Sequence, residues 1–307
     1  MSKSLDQALR SVEELFPLVG YQDIQVSNIY IEQLYDENGF YYSLLHSLSG
    51  SMHMTIDNDS VDKVRNHHVQ IQKVAEHIIS KSDQTDEALK VLELGCGKGY
   101  NICYLAKRFP EVQFLGIDIS EASIQEAKSK TRTLQNVTIQ KMDMDYASFD
   151  PDSYHIVFDV ETVCHTQDHL QLITKVYGAL KEDGLFILFD NFRKGTLTTD
   201  QVLEQKALRY IEIAVGIQDG IAINEWIDLA NQIGFETIVN NDLSAKILTG
   251  LHRYHQLASL YFRAPPIARV VNKVIPEKLK LYAIGAYLMK YSMELGFQAY
   301  QEIVLKK

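Results

Sequence analysis

At Val91-Leu-Glu-Leu94 a short apolar run passes directly into Gly95-Cys96-Gly97-Lys98-Gly99, and a helical pattern over 102–108 follows, stopping near Pro110. A strand, a glycine-rich turn and a helix in this order force a sharp reversal with something pressed against the turn's backbone, which only glycine tolerates. The alternation continues downstream. Apolar runs at 112–118, 137–143, 154–161 and 185–191 are separated by helical patterns, one opening at Ser120 as N-cap and one over 170–180 closed by Asp183-Gly184. Strands alternating with helices imply an α/β fold, a parallel sheet with helices on both faces. A further helix is expected over 224–233 and two more strands over 235–242 and 297–305. The helical span between those strands, with Pro265-Pro266 and Pro276, is too long for a simple connection and reads as an inserted cap.

Upstream of the sheet, 4–16 and 62–80 carry apolar residues at helical spacing. Between them lies FYYSLLHSLSGSMHM, rich in aromatics, His and Ser, and the polar linker KSDQTDEA follows. The expected organisation is a helical N-terminal lid (1–84), a cofactor-binding core (85–244), a helical cap (245–296) and the last core strand (297–307).

Charge narrows the function. With 40 acidic and 30 basic residues the net charge is −10, against the basic footprint that nucleic-acid binding needs. No run of 18 uncharged apolar residues is present, so stable membrane insertion is not expected, while peripheral contact stays open. MSKSLDQALRSVEELF is amphipathic and lacks the apolar centre of a secretory signal. Cys96, Cys103 and Cys164 have no C-x-x-C spacing and fit a reducing, cytoplasmic setting. The 17 Tyr, against 12 Phe and one Trp, hint at an aromatic-lined site, although scattered half-buried positions would account for most of them.

The glycine turn favours one kind of ligand over others. A dinucleotide fingerprint wants G-x-G-x-x-G, and position 100 is Tyr; a Walker loop wants Gly-Lys-Ser/Thr, and Lys98 precedes Gly99. Asp118, ending the second strand, can accept hydrogen bonds from both ribose hydroxyls of a nucleoside. Asp143 ends the third strand, and with Met144 it can contact an adenine. Glu93, Asp118 and Asp143 recur on successive strands beside the turn, which marks a site and not three unrelated solvated strand ends.

ELGCGKG, then GID, then KMDMDYASFDPDSYHIV resemble the motifs of class I S-adenosylmethionine-dependent methyltransferases over about residues 65–195. The resemblance implies a Rossmann-like seven-stranded sheet whose last strand is antiparallel. It also implies that Glu93, Gly95, Cys96, Gly97, Asp118, Ile119, Asp143, Met144 and Glu161 bind the cofactor, with Asp118 on the ribose and Asp143 and Met144 on the adenine. The family often has Phe-Asp where this chain has Tyr154-His155.

Past the fourth strand, Val160-Glu-Thr-Val-Cys-His-Thr-Gln-Asp168, together with the upstream Gly50-Ser-Met-His53, is similar to the sterol and tocopherol C-methyltransferase branch. That similarity implies Glu161, His165, Tyr42 and His53 as catalytic candidates. It also implies a small, largely apolar acceptor, methylated at carbon: a sterol, prenyl quinone or prenyl diphosphate. Methylating an alkene leaves a cation that tyrosine faces stabilise and that a carboxylate or His discharges by taking a proton. Glu161 capping the next helix and His165 as a satisfied structural histidine are the simpler alternatives. An O- or N-methyltransferase of a small natural product is the alternative activity, ahead of an RNA or protein methyltransferase or a non-catalytic cofactor-binding module. His252, His255, Tyr254 and Tyr261 in the cap read as surface or packing residues, with a lining of the acceptor pocket as the alternative. The cap, with Arg253, Arg263, Arg269, Lys273, Lys278 and Lys280, reads most simply as packing on the sheet domain; the sharper readings are a hydrophobic acceptor tunnel, a membrane-surface contact or a diphosphate clamp. None of the histidine pairs 46/53, 67/68 and 165/169 makes a convincing metal site, so no metal is assigned; magnesium stays open as an auxiliary ion. A homo-oligomer also stays open.

Overall fold

The computed structural model describes residues 2–16, 24–45, 53–57, 69–275 and 277–307, and the side chains among them except those of 2–4, 37–45, 277 and 278. A seven-stranded sheet runs in the order β3-β2-β1-β4-β5-β7-β6, formed by β1 (Lys90–Leu94), β2 (Gln113–Asp118), β3 (Val137–Lys141), β4 (Tyr154–Val160), β5 (Leu180–Arg193), β6 (Glu236–Asp242) and β7 (Gln298–Lys306). The first five strands are mutually parallel, and β7 runs antiparallel between β5 and β6. Strand order reverses at β1, which has β2 on one side and β4 on the other. Such a switch point opens a crevice at the carboxyl ends of β1 and β4, where ligands of open α/β sheets bind.

The strands read as apolar runs because both faces are covered. On β1, Val91 faces one buried cluster, Leu92 and Leu94 the other; on β5, Ile187 and Phe189 face the first, Phe186 and Leu188 the second. Helices α3 (Val69–Ser82), α4 (Tyr100–Arg108), α7 (Val202–Val215), α9 (Ser244–Phe262) and α11 (Glu277–Leu295) supply the first cluster. The second takes α6 (His169–Ala179) and α8 (Ile223–Ile233). Ser120 caps α5 (Glu121–Thr131) as its sequence predicts, its side chain accepting from the Ser123 N–H.

Several expectations change. Helix α2 (Asn28–Leu45) occupies part of the span between the two expected N-terminal helices, and α7 follows the fifth strand where no element is expected. The expected helix over 62–80 is observed as α3, its first residues lying outside the described ones. Asp183-Gly184 does not close α6, which already ends at Ala179. Instead β5 begins at Leu180, and its ladder with β4 jumps from Leu180 opposite Tyr154 to Leu185 opposite Ile156. Asp183, with φ 61°, takes up the extra residues.

Helices α9, α10 (Pro265–Val271) and α11 lie between β6 and β7, in the span expected to hold an inserted cap. It packs against α1 (Ser2–Leu15), α2 and α7. The Tyr210 and Tyr30 hydroxyls donate to the Phe16 and Ile213 carbonyls, tying the N-terminal segment to α7.

One side chain locks the outer end of the sheet. The Asn136 amide nitrogen donates to the carbonyls of Ala106, Phe109 and Val112 at 3.0–3.1 Å, fastening the turn between α4 and β2 to the start of β3. Asn136→Ala strands buried carbonyls, and the expected result is a loss of about 2–3 kcal/mol, read as a lower urea midpoint at unchanged slope.

Candidate functional site

The glycine turn sits at the switch point. Gly95, Gly97 and Gly99 have φ of 63°, 49° and 74°, in the left-handed region. A Cβ on Gly95 would lie 2.1 Å from the Thr162 hydroxyl oxygen, so the turn after β1 is pressed against the chain leaving β4. The Gly97 N–H donates to Asp118 Oδ2 at 2.8 Å, and the Ser120 N–H to Asp118 Oδ1 at 2.8 Å. These bonds hold the carboxylate at the end of β2 and leave each oxygen a further lone pair. Burial raises the Asp118 pKa to about 6 against those two bonds.

The turn opens on a cleft. Of the residues expected to hold a cofactor, Gly95, Cys96, Gly97, Asp118, Ile119, Asp143, Met144 and Glu161 all line it. Glu93 does not. On β1 it shares the face of Val91, points toward α4 and accepts from the Asn101 amide at 3.0 Å, with burial raising its pKa to about 8. Asp143 accepts from the Asn28 amide (2.6 Å) and the Asp145 N–H (2.9 Å), fixing the N-terminus of α2 over the cleft. Asn28 Oδ1 is buried without a hydrogen-bond partner and lines the same cleft, an acceptor available to a ligand.

Glu161 stands at the far wall. Its φ of 59° is unusual for a residue with a side chain and costs on the order of 1 kcal/mol, the kind of strain that collects at functional positions. Oε1 accepts from the Met54 N–H (2.6 Å) and the Tyr300 hydroxyl (2.9 Å). Burial pushes its pKa up to about 8 despite both bonds.

His165 follows on a short 3-10 turn, Val163–His165. Two buried carboxylates aim that turn: Asp159 accepts from the Val163 N–H and Asp190 from the Cys164 N–H. His165 Nδ1 faces the Gly216 carbonyl at 2.9 Å and so donates to it; Nε2, at 2.9 Å from the Tyr35 hydroxyl, then accepts. Burial lowers its pKa, so it stands as a neutral imidazole with both nitrogens engaged and Tyr35 as its outlet. His53 is buried on the cleft wall beside Tyr100, ring centroids 6.3 Å apart. Tyr42 lies within α2, and its side chain is outside the described residues, as are all of His46, Gly50, Ser51 and Met52.

A second, apolar cavity of about 300 Å³ adjoins the cleft, of a size suited to a small organic ligand. Tyr35, Glu161 and His165 line both spaces. Tyr254, Tyr261 and Tyr282 from the cap line the cavity, so for Tyr254 and Tyr261 the alternative of lining a pocket is the one observed. The cap histidines do pack: His255 stacks on Tyr287 at 4.9 Å and His252 bonds Glu294 at 2.8 Å. No lysine or arginine among the described side chains lines the cavity; of the cap's cations, Lys278 lies outside them. Asn28, Tyr35 and Tyr300 escape sequence reasoning, because α2 and β7 bring them to the site from far along the chain. No cluster of three or more His, Cys, Asp or Glu suited to a metal occurs among the described residues.

Residues 91–184 match a family described as a methyltransferase domain. Sterol 24-C-methyltransferase from Debaryomyces hansenii is 25% identical over 243 residues, covering 71% of this chain and 62% of that one. Cycloartenol-C-24-methyltransferase from Arabidopsis thaliana is 26% identical over 172 residues, 55% of this chain and 51% of the relative. The chain thus spans about half the length of the plant enzyme it matches. The solved structure of a geranyl diphosphate methyltransferase in complex with GPP and sinefungin superposes with a TM-score of 0.66 at 14% identity, over 91% of this chain and 98% of that one, which shows a shared fold.

Fold, glycine turn and family match together define a class I S-adenosylmethionine-dependent methyltransferase domain, whose cofactor is S-adenosylmethionine. Within that class the chain resembles the sterol C-methyltransferase branch.

The residues present fit that cofactor. The left-handed glycine backbone leaves room against the turn, Asp118 keeps free lone pairs, Met144 and Ile119 offer apolar walls, and the unpartnered Asn28 Oδ1 faces the same cleft.

Proposed function

We propose that the protein methylates a small, largely apolar, uncharged acceptor at carbon, of the isoprenoid type exemplified by a sterol or prenyl quinone. One observation carries this reading: Glu161 is a single buried carboxyl shared by the cofactor cleft and a cavity walled mainly by tyrosines and aliphatic side chains. Bound S-adenosylmethionine supplies an electrophilic methyl group on a sulfonium. Asp118 and the glycine turn would orient it, and Met144 would pack on the adenine. The tyrosine faces of Tyr35, Tyr254 and Tyr261 would stabilise positive charge on the acceptor as the new C–C bond forms. Glu161, as carboxylate, would then take the proton lost from an adjacent carbon. His165 would act through Tyr35, holding its hydroxyl in place.

The cavity lining also supports an acceptor that carries one polar group. Asn191 and Gln298 line it, and their Oδ1 and Oε1 atoms are buried without hydrogen-bond partners. A hydroxyl on an otherwise apolar molecule would satisfy them, which a plain hydrocarbon would not. The absence of cations among the described lining residues favours an uncharged head over a diphosphate. Methyl-labelled S-adenosylmethionine, offered with sterols and prenyl quinones, tests the reading. Label is expected in a solvent-extractable product and is expected to survive ether and ester cleavage. Label lost on such cleavage places the methyl on oxygen, and label in precipitated protein or RNA overturns a small acceptor. Cofactor binding with no transfer to any fraction supports a binding module instead.

A further inference from the structure

We propose that the outer faces of α9 and α10 dock the protein onto an anionic lipid surface, with the apolar cavity opening beside the contact. Between Asp242 and Glu277 the chain holds Lys246, Arg253, Arg263, Arg269 and Lys273 and not one Asp or Glu, inside a protein of net charge −10. The same stretch carries large aliphatic side chains turned to solvent: Leu260 is 68% exposed, Ile267 65%, Val270 65% and Val274 80%. Arg253, Leu257 and Leu260 share one exposed face of α9 by their three- and four-residue spacing; Ile267 and Val270 share one face of α10. Exposed aliphatics flanked by cations are the pattern of an interfacial helix, whose apolar side chains enter the lipid boundary while its cations meet anionic headgroups.

Two observations join this surface to the site. Leu257, half-exposed on that face, also lines the apolar cavity, as do Tyr261 and Ile275 on either side of α10. Arg269 pairs with Glu14 of α1 at 2.8 Å, so α10 is braced against the N-terminal helix. A contact there would set the cavity's rim at the lipid boundary. The contact is peripheral, for no helix among the described residues is long and apolar enough to cross a membrane.

Flotation of the full chain with vesicles of phosphatidylcholine, with and without phosphatidylglycerol, tests this without any acceptor, so its outcome and that of the methylation assay are independent. At least tenfold tighter binding to the anionic vesicles is expected, weakening as salt rises. Leu260→Gln with Ile267→Gln is expected to cut binding at least tenfold. Arg263→Gln with Lys273→Gln is expected to abolish the preference for anionic lipid. Both variants should keep the wild-type melting temperature and cofactor affinity, since neither touches the cleft. Failure of the wild type to bind anionic vesicles overturns the proposal, as does wild-type binding by both variants. A concentration-dependent dimer in sedimentation that Leu260→Gln with Ile267→Gln abolishes, without vesicle binding, also overturns it and assigns the face to a second copy of the chain.

Discussion

Glu161→Gln is expected to lower methyl transfer at least about 100-fold, the usual range for losing a general base, while leaving S-adenosylmethionine affinity within about threefold. The glutamine oxygen can still accept from the Met54 N–H, so the bonds that seat the side chain and the segment 53–57 survive. What disappears is the ionisable carboxyl between the two cavities. Loss of affinity matching the loss of turnover would place Glu161 in cofactor binding alone, and unchanged turnover would remove it from the chemistry.

The raised pKa of Glu161 adds a signature that a structural role would not give. With its value near 8, the free protein holds this group largely as the neutral acid at pH 7. A sulfonium in the adjacent cleft favours the carboxylate. Binding of S-adenosylmethionine at pH 7 should therefore release a proton that S-adenosylhomocysteine, with its neutral sulfur, does not, and calorimetry in two buffers of different ionisation enthalpy reads the difference. Stability responds in the opposite sense. The folded state keeps its proton where the unfolded chain has lost it, so this group's contribution falls as pH rises from the ordinary carboxylate range to about 8. Both effects should vanish in Glu161→Gln, and the rate of the wild type should climb with pH over the same range.

The cofactor half of the molecule is legible in the sequence because its signals are local. Strands β1, β4 and β5 are covered on both faces and read as apolar runs, while the glycines and Asp118 sit within one strand–turn–helix and the next strand end. The walls of the second cavity are not local. Tyr35 comes from α2, Tyr254 from α9 and Tyr300 from β7, and only the closed fold brings them around Glu161. Helix α7 is hidden for another reason: its buried face includes Glu212, neutralised by Arg193 at 2.7 Å, so an acid interrupts the apolar stripe that periodicity looks for. Glu93 lies beside the turn in sequence, but strand alternation sends it toward α4, where it reaches the cleft's lining only through Asn101. Asp183-Gly184 has the composition of a helix stop, and the chain spends it on a distortion of β5.

Gly95→Ala should produce a larger loss of cofactor affinity than any single polar substitution in the cleft, on the order of 100-fold, and should affect S-adenosylmethionine and S-adenosylhomocysteine alike. Two costs fall on one methyl group. The φ of 63° is left-handed, which an L-residue with a side chain adopts at about 1–2 kcal/mol. The new Cβ would also meet the Thr162 side chain at 2.1 Å from Oγ1, 2.2 Å from Cγ2 and 2.6 Å from Cβ, distances at which one of the two segments must move. The turn carries the Gly97 N–H that holds Asp118, and Thr162 follows Glu161 directly, so either movement disturbs both ends of the cleft. The equal loss for the two ligands separates this shape effect from the charge effect at Glu161, which distinguishes them. Adding Thr162→Gly removes every atom of the clash but not the backbone strain. The double variant is therefore expected to recover part of the affinity, and its failure to recover any would show that the left-handed backbone alone, not the contact with the chain after β4, demands glycine at position 95.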